Sequence, residues 1–184
     1  ISDWSSDVCS SDLDNKMQQA LINFYYQFHT KQHYFLCHDI LEDAWKAENN
    51  YSKQDAVVSL ILFATACYHY RRNNLKGAYK SFNKSKEIIQ NAKDRDALYL
   101  NLNDYQLLIE QQIAKLNAAK PFSSVILPIT PVFERIIKAN YPDYDYNQET
   151  ATDPFIVDHH MRRDRSEVIA AKEEAIQLRK HRRN

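Results

Sequence analysis

The chain has 184 residues, with 24 Lys and Arg against 24 Asp and Glu, so its formal net charge is zero. That length fits about one domain, and 44% hydrophobic with 26% charged residues is the balance of an ordinary folded protein. A single glycine excludes a Walker loop, a dinucleotide-binding fingerprint and a nucleophile elbow, each of which needs several, and argues against sheets closed by tight hairpins.

From Asp14 to about Gln32, apolar residues at Met17, Ala20, Leu21, Phe24, Tyr25 and Phe28 predict a first helix with one buried stripe. A second helix is expected from about His33 to Glu48 and a third from about Lys53 to Asn73. The third is apolar nearly all round (Val57, Val58, Leu60, Ile61, Leu62, Phe63), the pattern of a central helix. Asn73-Asn74 marks a turn, and a fourth helix follows from about Leu75 to Ala92. Gly77 sits in its first turn, where glycine costs helix stability unless close packing requires it. A fifth helix is expected from about Asp94 to Ala119, capped by Asp94. All five prolines lie between Pro121 and Pro154, in a stretch that still carries Val125, Ile126, Leu127, Phe133 and Ile136. Thr130 and Pro131 announce a short helix to Ala139, and a last, charged helix is expected from about Arg163 to Arg182. The fold class is all-α. A compact bundle of about five helices spans 14–120, a proline-rich irregular connection 121–157, and a basic C-terminal helix 158–184.

The first residues stand apart. The run from Asp3 to Leu13 is dense in Ser and Asp and has no amphipathic period. It resembles, residue for residue, a translated sequencing adapter, so residues 1–13 are expected to be a non-native, disordered tail. Setting aside Asp3, Asp7 and Asp12 leaves 24 basic against 21 acidic side chains, a mildly basic remainder. Of the three cysteines, Cys37 and Cys67 fall in apolar helical segments and read as buried free thiols of a reducing compartment. The longest apolar stretch, Ala56 to Tyr68, is too short to span a bilayer. A cytoplasmic protein without membrane contact is expected.

The densest chemistry lies in Tyr34-Phe35-Leu36-Cys37-His38-Asp39-Ile40-Leu41-Glu42-Asp43-Ala44-Trp45. On a helix, His38, Leu41, Glu42 and Trp45 share one face, at offsets of three, four and seven. Trp45 and Leu41 should face the core and draw His38 and Glu42 partly inward. A buried carboxylate needs a partner, and His69, Arg71 and Arg72 on the third helix offer one. Three readings follow from His38, Asp39, Glu42, Trp45, His69, Arg71 and Arg72. They are a polar network fixing helix register, a divalent-metal or proton-exchange site on His38, Glu42 and His69, and an Arg71–Arg72 clamp for a carboxylate or phosphate.

Phe28-His29, the run Tyr34-Phe35-x-Cys37-His38-Asp39-x-Leu41-Glu42-x-x-Trp45, and Tyr68-His69-x-Arg71-Arg72-x-Asn74 before Gly77-Ala78 together resemble the bacterial and archaeal domain-of-unknown-function family numbered 309. The resemblance covers about Phe24 to Ile89 and implies a compact all-helical bundle. Leu36 stands where that family has Glu, Asp39 where it has Glu, and Asn73 where it often has Gly.

At the C-terminal end, Arg179, Lys180, Arg182 and Arg183 form a basic cluster able to neutralise phosphates of a nucleic acid. From Asp158 onward, however, eight basic side chains are interleaved with five acidic ones, which suits a solvated amphipathic helix better. The leading expectation for function is a non-catalytic helical binding or interaction module. Its His/Glu/Arg cluster would either order the core or receive a small anionic ligand or a protein partner. A metal-dependent enzyme using the same cluster, or nucleic-acid contact through the last helix, are the alternatives.

Overall fold

The computed structural model describes residues 7–158, the backbone alone over 7–15, together with Ala170, Glu173 and Gln177, which are helical. Helix α1 (Asp7–Tyr26) passes into a π-helical turn (Gln27–Lys31) and stops at Gln32, whose φ is 51°. Helix α2 (Tyr34–Lys46) and helix α3 (Ala56–Arg71) follow. Asn73, at φ 60°, then turns the chain into α4 (Leu75–Asn91). Asparagine tolerates that left-handed conformation better than most residues, which accounts for Asn at a position suited to Gly. A 3₁₀ turn (Arg95–Leu98) leads to α5 (Leu102–Asn117), and α6 (Pro131–Asn140) and the short α7 (Pro154–Val157) lie in the proline-rich part. Among the described residues the chain forms no strand, and extended pairing is limited to an antiparallel bridge between Leu100 and Ile129. None of the described helices is long and apolar enough to cross a membrane.

Two element boundaries differ from the expectation. The first helix begins at Asp7 rather than Asp14, so part of the run expected to be disordered is helical. Neither proline nor glycine lies in that run to stop a helix growing backwards from the amphipathic segment. The fifth helix begins at Leu102 rather than Asp94, because Tyr99 takes φ 56° and breaks the path. Asn101 is its cap, accepting from the Asp104 N–H at 3.1 Å. Asp94 serves a different helix: its Oδ1 accepts from the Ala56 N–H, at 2.9 Å, at the start of α3.

Helix α3 is the centre, as its all-round apolarity predicts. Val57, Leu60, Ile61, Phe63, Ala64, Cys67 and Tyr68 are all buried, against α2 on one side and α4 on the other. Phe63 meets Phe28, Phe82 and Tyr105, with ring centroids 5.2–6.0 Å apart. One polar knot crosses this core. Ser59 and Ser85 each donate to the other's carbonyl, at 2.9 and 2.8 Å, and the Tyr105 hydroxyl lies 2.8 Å from Ser59 Oγ. The knot ties α3, α4 and α5 together with its polar atoms satisfied. Tyr105→Phe removes one hydrogen bond and leaves both serines paired, so it is expected to cost about 1 kcal/mol, read from urea unfolding. Gly77 has the close neighbour its position suggests. A Cβ there would lie 2.6 Å from Asn74 Nδ2, whose Oδ1 caps the Gly77 N–H.

The proline-rich segment packs on the bundle rather than away from it. Val125, Leu127, Phe133, Ile137 and Tyr144 are buried in the same core as α1 to α5. Its backbone is pinned at Asn101, which donates to the Pro128 carbonyl, and at Thr130, which donates to that of Tyr99.

Candidate functional site

Helices α2 and α3 run antiparallel. The start of α2 meets the end of α3, where Tyr34 lies under Arg71 and Phe35 lies 5.4 Å from Tyr68. The end of α2 meets the start of α3, where the Trp45 indole donates to Asp55 Oδ2 at 3.0 Å and to the Ser52 carbonyl at 3.2 Å. This register decides which predicted site residues meet. Arg71 and Arg72 lie level with Gln32–Tyr34, and Glu42 lies eight residues further along α2, about 12 Å by helical rise.

The expected junction of Glu42 with His69 or an arginine is therefore not formed. Glu42 pairs on its own helix, with Lys46 Nζ at 2.6 Å and with His38 Nε2 at 3.6 Å. His38 Nδ1 lies 3.0 Å from Asp39 Oδ1. His38 and Glu42 are half-buried on the flank of α2, because the helix turns them about 60° and 100° away from the buried Leu41. His38, Asp39 and Glu42 bring ligand-type atoms within 4.8 Å of one another, and His69 is not among them. His69 lies across a small apolar groove of about 100 Å³, lined by Phe35, His38, Thr65 and Tyr68. Its Nδ1 is 3.2 Å from Asn74 Nδ2, and burial together with Arg72 holds its pKa below the ordinary histidine value. Trp45 faces the core and bonds the loop before α3, so its role is to hold that loop.

The two arginines separate. Arg72 bonds Asp158 at 2.9 Å and covers the Tyr68 ring. Arg71 turns inward. Its Nη1 donates to the Gln32 carbonyl at 2.6 Å, its Nη2 reaches the Ile156 carbonyl at 3.4 Å, and its guanidinium carbon sits 4.5 Å above the Tyr34 ring. Its Nε is buried without a partner, as is the Tyr34 hydroxyl beneath it. Burial pulls the Arg71 pKa down and pushes the Tyr34 phenol and the Cys37 and Cys67 thiols up, so all three acids stay protonated around the cation. Arg71 also lines a pocket of about 430 Å³ with Tyr70, Asn73, Lys120, Phe122 and Thr150.

Two residues outside the predicted set organise this end of the molecule. The buried Gln32 side chain donates to the carbonyls of Asn147 and Glu149 and accepts from the Ala151 N–H. His29, 2% exposed, accepts from the Leu127 N–H at Nε2 (2.9 Å), so its Nδ1 carries the proton toward the Tyr144 hydroxyl (2.8 Å). Together they strap the segments on either side of α6 onto the bundle. No local spacing marks Gln32 or Lys120, because their partners lie far away in sequence. The basic residues Arg179, Lys180, Arg182 and Arg183 lie outside the described residues.

Comparison with known proteins places the chain. The profile of the family described as "Domain of unknown function (DUF309)" matches residues 21–81, from the last turns of α1 to near the middle of α4. The "Uncharacterized protein YpuF" of Bacillus subtilis (strain 168) is 32% identical over 174 residues, covering 90% of this chain and 98% of that protein. No solved structure matches it significantly. With the motif-bearing helices inside the matched region and a relative aligned along nearly its whole length, the chain belongs to the DUF309 family.

Proposed function

We propose that the chain is a non-catalytic helical binding module that receives a small anion, a carboxylate or phosphate, in the pocket beside Arg71. One observation supports it above the others: a largely buried guanidinium whose bonds go to backbone carbonyls, whose Nε is unsatisfied, and which no carboxylate among the described residues bonds. A buried charge is costly unless it is paired. The nearby acid, Asp158, is already bonded to Arg72. Lys120 adds a second cation to the pocket, and Tyr70 and Phe122 give it apolar walls. A volume of about 430 Å³ suits a small ligand. The carboxyl ends of α3 and α5 meet there with roughly half a negative charge each, less than the two full positive charges of Arg71 and Lys120. A cytoplasmic location fits the two free, buried thiols, Cys37 and Cys67.

Calorimetric titration of the full chain with inorganic phosphate and with acetate tests this reading. Saturable binding of at least one anion is expected. Arg71→Met should weaken it about tenfold or more, the value of one charge-assisted hydrogen bond. Lys120→Ala, at an exposed position, should weaken it several-fold without moving the melting temperature. Binding that survives both substitutions, or no binding of either anion, overturns the proposal.

A further inference from the structure

We propose that a single-stranded nucleic acid lies along the exposed face of α4, with one of its phosphates in the Arg71 pocket and a base stacked on Tyr79. The pocket contact rests on the anion-binding role given to Arg71 and Lys120, whereas the α4 face stands on other residues. Leu75 lines the pocket and opens α4. Tyr79 stands one turn further on, about 6 Å along the axis and about 40° round from Leu75. Its ring has no cover: 46% of Tyr79 is exposed, and 40% of Leu75 beside it. Lys76 and Lys80 flank the ring, both exposed and four residues apart on one ridge of the helix.

These charges are placed against the helix's own interest. Like charges at i and i+4 repel and weaken a helix, and the macrodipole disfavours a cation such as Lys76 in the first turn. Further along α4, Lys84 is answered by Glu87 and Lys86 by Glu110, each at 3.0 Å. Lys76, Lys80 and Lys120 pair with no acid among the described residues. A polyanion relieves all of these costs at once. Arg71, Lys120, Lys76 and Lys80 offer it four cations, no acidic side chain lines the pocket, and none stands between Lys76 and Lys80. The positive end of α4 adds to them at the edge of the pocket. The uncovered ring between the lysines favours a nucleic acid over an acidic protein, because every base has a face to stack on it. That stacking needs an unpaired base, so the strand is single.

Fluorescence anisotropy of a labelled single-stranded DNA of about twelve nucleotides, titrated with the full chain, tests this. Micromolar affinity at low salt is expected, with a slope of log affinity against log salt of about −2.8, the value for four phosphates on a single strand. Tyr79→Ala should weaken binding at least about fivefold, and Tyr79→Phe should keep it. Replacing Lys76 and Lys80 together by Ala should flatten the slope by about 1.4, and Lys120→Ala by about 0.7. All four side chains are exposed, so the variants should keep their fold, checked by circular dichroism. No strand binding at about 100 μM protein overturns the proposal, and the pocket's own anion-binding role survives that result if inorganic phosphate or acetate still binds. Equal affinity for the duplex or for a glutamate peptide of the same length overturns it, as does binding that Tyr79→Ala or Lys120→Ala leaves unchanged. So does binding that is lost only when Arg179, Lys180, Arg182 and Arg183 are all replaced by Ala.

Discussion

Acidification from pH 7 to pH 5 is expected to cost the chain about 2 kcal/mol of stability through His29, and His29→Gln to abolish that part of the loss. The ring is buried among Tyr25, Phe28, Tyr144 and Tyr146, and no acidic side chain among the described residues bonds it. Burial lowers its pKa to about 3. A proton on Nε2 would also point at the Leu127 N–H that now donates to it. The unfolded chain takes up that proton near pH 6.5 and the folded chain does not. The proton-linked stability is therefore complete above about pH 6.5 and is lost progressively as the pH falls toward 3. At pH 5 the solution stands about 1.5 units below the unfolded pKa, which gives the figure above. His69 is shifted in the same direction and stays in the variant, so the difference between the two proteins isolates His29. Urea unfolding at both pH values measures it. Equal losses in the two proteins would show that His29 is not the acid-sensitive group.

Phe63→Ala is expected to destabilise the protein by about 3–5 kcal/mol and to lower its melting temperature by about 8–15 °C. The ring is fully buried and touches aromatic rings from the π-helical turn after α1, from α4 and from α5. Deleting it opens a cavity where neither α4 nor α5 can close in without straining the Ser59–Ser85–Tyr105 knot one turn away. Leu107→Ala on α5, half-exposed, is the control and should change stability by no more than about 0.5 kcal/mol. A loss below about 1.5 kcal/mol for Phe63→Ala would contradict the central position of α3.

The helices were legible because each leaves a local signal. Leu21, Phe24, Tyr25 and Phe28 mark one buried stripe, and the unbroken run from Val57 to Phe63 marks a helix covered on every side. Caps were less legible, because a capping side chain need not belong to the helix it caps: Asp94 serves the start of α3 from 38 residues away. The candidate site was legible as a set of residue types and not as an arrangement. The spacing of His38 and Glu42 put both on one flank of α2, and they are there. Which groups they meet depends on the sliding register of α2 against α3, and no local pattern encodes it.

Composition and periodicity by themselves determined an all-α chain with α3 at its centre, an aromatic-rich core and a half-buried His38–Glu42 pair, because helical period and burial are properties of neighbours in sequence. Tertiary structure alone decided that Arg71 goes inward and Arg72 outward, that Gln32 and His29 strap the segment after α6 onto the bundle, and that Lys120 and Arg71 line one pocket. Those outcomes are set by contacts between residues some 40 to 120 positions apart, where the packing of whole helices, rather than the preference of any one residue, fixes which groups are left to meet.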